Sequence, residues 1–144
     1  MTTPPAPAVI DGDLRQVRTA ADATAWLDRR AAELLAEAEA EPAPDHARGL
    51  RLAGTTLQAV AFVGREWRDD VTAADALTRL ACSYPAMTTD ELRRTARYHQ
   101  LACEHVANAL RQLSAQLTYA TGTERTRHGS VEASRRPVAL GRDL

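Results

Sequence analysis

The sequence predicts an all-α protein, a helical bundle of three long helices and one short helix with disordered N- and C-terminal tails. Three observations carry that expectation. Thr-x-x-Asp/Glu occurs ahead of an apolar-periodic stretch from Thr19 to Asp22, from Thr72 to Asp75 and from Thr88 to Glu91. In such a capping box the hydroxyl accepts the backbone N–H three residues on, and the acid reaches back to the cap. Apolar residues then recur at steps of three and four, and Pro42, Pro44 and Pro85 fall between the periodic stretches, where helices stop. The chain divides into a disordered segment 1–12, a bundle 13–120 and a mildly basic, disordered tail 121–144.

The first helix begins at Asp13 or Thr19 and ends near Ala40, with a buried stripe of Ala23, Leu27, Ala31, Leu34 and Ala38 and with Trp26 and Leu35 beside it. The second starts at Asp45 and presents Leu50, Ala53, Leu57, Val60, Gly64 and Trp67 on one face. Gly54 and Gly64 each cost about 1 kcal/mol of helix propensity against Ala, so close backbone approach is the expected compensation. The Glu41–Pro44 turn makes the two an antiparallel hairpin, with Trp26 buried opposite Val60 and Trp67 opposite Thr19. Glu37, Glu39 and Glu41 sit where the helix dipole disfavours anions, and Arg48 and Arg51 across the turn are the expected offset.

The third helix is short, from Thr72 to about Ser83. The fourth is expected from Thr88 or Thr89 to about Ala120, roughly 32 residues or 48 Å. Its seam reads Leu92, Ala96, His99, Cys103, Val106, Leu110, Leu113 and Leu117, alternating steps of four and three as a heptad stripe does. In a tight hairpin with the third helix, Cys82 faces Leu92, and cover extends only to about Cys103.

Composition narrows the chemistry. The chain has 144 residues, 44% apolar and 4% aromatic, which gives one domain with a core of Leu, Val and Ala. A net charge of −1 implies no whole-protein attraction to nucleic acid or membrane. All 18 basic residues are Arg, as a GC-rich genome favours, so Schiff-base chemistry, a P-loop lysine and a lysine general base are excluded. Cys82 and Cys103 fit neither a disulfide scaffold nor a zinc ribbon, and both thiols are expected reduced. Met1–Ile10 does not resemble a signal peptide, and the run Ala59–Val63 is too short for a membrane span. The expected compartment is the cytoplasm, with no membrane association.

His99 and Cys103 stand at i and i+4, a metal-ligand spacing, but third and fourth ligands are missing. They read as a core histidine and a small buried thiol, with no metal and no other cofactor. The sequence has no Glu-x-x-His, Gly-x-Ser-x-Gly, Gly-rich phosphate loop or His-Glu-x-x-His, so no catalytic residue is expected.

Two alternatives remain. Arg94, with four residues between it and His99, resembles the Arg-x4–6-His motif of HEPN-type ribonucleases, which are small helical bundles carrying the motif late in the chain. The resemblance covers two residues and a general architecture. It implies a metal-independent ribonuclease in which Arg94 and His99 from two subunits meet around an RNA phosphate. Helix three, the Tyr84–Met87 turn and Arg93, Arg94 and Arg97 outline a helix-turn-helix DNA binder. That turn has no Gly, and a recognition helix of this length would be anomalous, so nucleic acid is not the expected partner. The leading expectation is an interaction or adaptor protein without catalytic activity, binding a protein partner or itself as a homodimer. Its working surface would be an apolar groove of Val106, Leu110, Leu113 and Leu117, left open beyond the short third helix. A symmetric dimer through the fourth helix would fill it most simply.

Overall fold

A computed structural model describes residues 14–135, with side chains described from 14 to 122. The expected disordered segment 1–12 and the end of the tail, 136–144, lie outside the described residues. Along the described residues the helices run in the order α1 (Ala20–Ala40), α2 (Pro44–Gly64), α3 (Asp70–Cys82), α4 (Thr89–Arg94) and α5 (Arg97–Arg135). The described residues contain no strand. The fold is an all-α bundle in which α1 packs along α2, while α5 packs against α2 and α3.

Thr19 caps α1 as a full box. It accepts the Asp22 N–H at 3.1 Å, and Asp22 accepts the Thr19 N–H at 3.2 Å. Of the two possible starts, Thr19 is the one used. The preceding chain is tied to α5 instead, where the Gln116 amide donates to the Val17 carbonyl at 3.0 Å. The stripe Ala23, Leu27, Ala31, Leu34 and Ala38 is buried, and Trp26 is 3% exposed.

α2 starts differently from the expectation. Pro44 is its first residue and Ala43 the cap without a side-chain bond, so Asp45 is not a cap but a first-turn acid favoured by the helix dipole. The hairpin closes tightly at both expected glycines. A Cβ on Gly54 would stand 2.8 Å from Leu35 Cγ, and one on Gly64 would stand 2.6 Å from Thr24 Cγ2. The acids at the end of α1 find other partners than Arg48 and Arg51. Glu37 lies 3.6 Å from Arg30 on its own helix and Glu41 lies 3.9 Å from His46, while Arg48 stacks 3.9 Å above the Tyr98 ring.

The Thr72–Asp75 box does not begin a helix. Asp69 caps α3 by accepting the Thr72 N–H at 2.7 Å, since a charged carboxylate is the stronger acceptor. Asp70 then accepts the Ala20 N–H at 2.7 Å, tying the start of α3 to the start of α1.

The largest departure concerns the fourth helix. Thr88 does form its box with Glu91, but it starts only the six-residue α4. The chain turns extended at Thr95, with φ −103° and ψ 131°, and a new helix begins at Arg97. The Gln100 amide holds the break by donating to the carbonyls of Leu92 and Thr95, both at 2.8 Å. At its other end α5 continues past Ala120 to Arg135, so the segment from Thr121 to there extends the helix rather than opening the tail.

Residues 83–96 therefore separate α3 from α5, and the register between them slides. Thr78 shares a 2.8 Å hydrogen bond with the buried Ser114, and Arg111 donates to the Tyr84 carbonyl at 2.7 Å. Cys82 does not face Leu92. α3 covers the later part of the seam, so Val106 is 2% exposed and Leu110, Leu113 and Leu117 are 0% exposed. The expected groove is closed and these four residues are core. The first part of the seam is what lies open: Leu92, Ala96 and His99 are exposed and Cys103 is half-buried.

Candidate interaction cleft

α3 stops beside Arg111, yet α5 reaches back to Arg97, about 21 Å further at 1.5 Å per residue. On that face the place of an antiparallel helix is taken by the connection Ser83–Met87 and by α4. Between them and α5 lies a cavity of about 550 Å³, lined by Tyr84, Met87, Leu92, Cys103 and Ala107, with Arg111 at its edge. Gln100, Cys103, Ala107 and Arg111 reach it together because steps of three and four place them on one side of a helix. The walls are mainly apolar, and Glu91, Gln100, Glu104 and Arg111 supply polar groups.

The roof is thinly attached. α4 has no buried residue, and Leu92 is 41% exposed. What holds it is the Thr88–Glu91 box, the Gln100 amide across the break, and Thr95 Oγ1 donating to the Glu91 carbonyl at 2.6 Å.

Cys103 in the cleft is a free thiol, and burial, with the charge of Glu104, pushes its pKa up. It is held as the neutral thiol and is a poor nucleophile. Cys82 is free and exposed. His105 lies on another side of α5, half-buried. Burial lowers its pKa first and Arg30 second, with His46 adding to the effect while Glu37 and Glu104 oppose it. Among the described residues no group of three or more His, Cys, Asp or Glu is placed to hold a metal ion.

The residues of the two nucleic-acid alternatives lie at the break. His99, expected in the core, is exposed and meets the Tyr98 ring edge-on at 6.3 Å. Arg94 is exposed at the end of α4, so the extended Thr95 separates it from His99 and the two do not share a helix. Arg93 pairs with Asp90 at 3.4 Å and Arg97 donates to Oε1 of the Gln100 side chain at 3.2 Å. The expected recognition helix is thus two elements, the first only six residues long.

The cleft itself was missed by sequence reasoning, although a signal existed. In its first four positions the seam has only one large apolar residue, Leu92, against Val106, Leu110, Leu113 and Leu117 in the last four. A weak half-seam is what an unpacked half-helix looks like. No helix among the described residues is long and apolar enough to cross a membrane. No protein-family model, curated protein or solved structure matches the chain.

Proposed function

We propose that this protein is a small helical-bundle interaction protein without catalytic activity, and that it engages a protein partner through the cleft between α4 and α5. The observation that carries the reading is a roof helix that covers a 550 Å³ apolar cavity while burying none of its own residues. Isolated helices shorter than about 12–15 residues are marginal in water, so α4 depends on its clasp and on what lies beneath it. The cavity lies beyond the end of α3 along α5, and the apolar face of a partner helix laid into it would bury Tyr84, Met87 and Leu92 together. The test is a photo-crosslinking amino acid at Leu92, with one at the exposed Asp75 as control, expressed in the native cell. A discrete protein adduct formed from position 92 and not from position 75 supports the cleft. Equal labelling from both, or none, sinks the reading.

One observation favours the ribonuclease as a second reading. Arg94 and His99 are both exposed, so a phosphate can reach each of them. Purified protein should then cut single-stranded RNA in the presence of a chelator and lose that activity on His99→Ala. Intact RNA after incubation with wild-type protein ends this alternative.

A further inference from the structure

The outer side of α2 carries a second unpartnered surface, separate from the cleft. Arg48, Leu52, Thr55, Ala59, Phe62 and Glu66 are all exposed, and their steps are four, three, four, three and four. That is the spacing of a coiled-coil seam, here on the face turned away from the core. No charged residue occurs from Leu52 to Gly64. Phe62 is 71% exposed, with the exposed Val63 beside it. α1 and α5 pack on the other sides of α2, and from Leu52 to Phe62 the seam positions are exposed, the Tyr98 ring of α5 meeting only Arg48 at its first end. The turn after the helix keeps Glu66 in line, because Arg65 retains helical angles (φ −64°, ψ −15°) and the Glu66 N–H donates to the Val63 carbonyl at 3.0 Å.

The seam reads the same from both ends about the level of Leu57. Reversal exchanges Arg48 with Glu66, Leu52 with Phe62 and Thr55 with Ala59. A two-fold axis perpendicular to a helix performs that exchange, and a two-fold interface is self-complementary by construction. We propose that the protein forms a symmetric homodimer through α2, the two helices antiparallel about Leu57. Each Phe62 lies against Leu52 of the partner subunit, and the small Thr55 and Ala59 meet at the centre, where they let the axes approach. The ends are complementary in charge. Arg48 is held over the Tyr98 ring at 3.9 Å and faces Glu66 of the partner subunit, while like ends in a parallel pair would repel. The whole seam spans about 27 Å of helix.

The test is light scattering on the purified full chain during size exclusion, where the dimer runs at twice the 15.6 kDa chain mass. Leu52→Glu and Phe62→Arg should each weaken self-association by at least about tenfold, as a charge set into the large apolar contacts of an interface does. Both side chains are exposed in the single chain, so far-UV circular dichroism should be unchanged; Ala59→Arg, at a third exposed position, repeats the measurement should either variant fold poorly. Mixing the Leu52→Glu and Phe62→Arg chains should restore a dimer, because the antiparallel register sets position 52 of one against position 62 of the other and the introduced charges are opposite. A monomeric wild type overturns the proposal. So does a dimer indifferent to these substitutions, or a mixture that stays monomeric.

Discussion

At the scale of single residues, small differences in available space decide what each glycine does. A Cβ on Gly49 would stand 2.8 Å from the Tyr98 carbonyl oxygen, a backbone atom that moves only if α5 moves with it. Gly49→Ala should therefore destabilise the fold by about 1–3 kcal/mol, the usual range for overpacking, despite the better helix propensity of Ala. Gly122 is the contrast, with no atom within 4 Å of an added Cβ. Gly122→Ala should stabilise by up to about 1 kcal/mol. Urea midpoints of the two variants check the pair, and a Gly49→Ala protein as stable as wild type would show that α2 and α5 are less closely apposed than this. The sequence marked Gly54 and Gly64 as contact positions because they lay on the stripe. It did not mark Gly49, whose partner Tyr98 lies in a helix whose start the sequence misplaced.

At the scale of elements, the caps were legible where a box satisfied itself and illegible where a residue just upstream took the N–H first. Thr19 and Thr88 each close a box within four residues, and both serve as caps. Thr72 offers the same local pattern, but Asp69 takes its N–H, and the neighbouring Asp70 is used across the bundle by Ala20. The break at Thr95 was illegible for a related reason. It is held by a side chain five residues further on, and Gln100 carries no pattern that announces a clasp. Gln100→Ala frees the carbonyls of Leu92 and Thr95 and should loosen α4 by about 1 kcal/mol, the net worth of an ordinary hydrogen bond. Amide hydrogen exchange should then accelerate across residues 89–94 and stay unchanged in α1 and α2. Unchanged exchange in α4 would mean that Gln100 does not hold the roof. The hairpin gives a complementary test, since Trp26 is buried and Trp67 only part-buried. Trp26→Phe should shift the emission maximum to the red. A maximum that stays in place would contradict the register of α1 against α2.

At the scale of the whole molecule, the α3–α5 register decides which half of the seam is core, and that register depends on how much chain 83–96 consumes. The short α3 does leave part of the seam uncovered, but at its first end rather than its last, because a turn, a helix and a break stand where a tight hairpin was expected. The same assembly sets the acid response of the fold. His105 on α5 faces Arg30 and Glu37 from α1 and His46 from α2, with Glu104 beside it, and burial and the two cationic neighbours lower its pKa against the acids. In the unfolded chain the imidazole returns to its ordinary value near 6.5. Below that pH the unfolded chain takes up a proton that the folded chain refuses, so the unfolded state binds more protons and stability drops as the pH is lowered. Above it both states are neutral and the group contributes no slope. His105→Gln, which cannot titrate, should therefore remove part of the stability lost between about pH 7 and about pH 5, while leaving the acid losses of the carboxylates in place. The measurement is the urea midpoint of both proteins at the two pH values. A variant that loses as much stability as wild type over that interval would show that His105 is not held neutral by the packing of α1, α2 and α5.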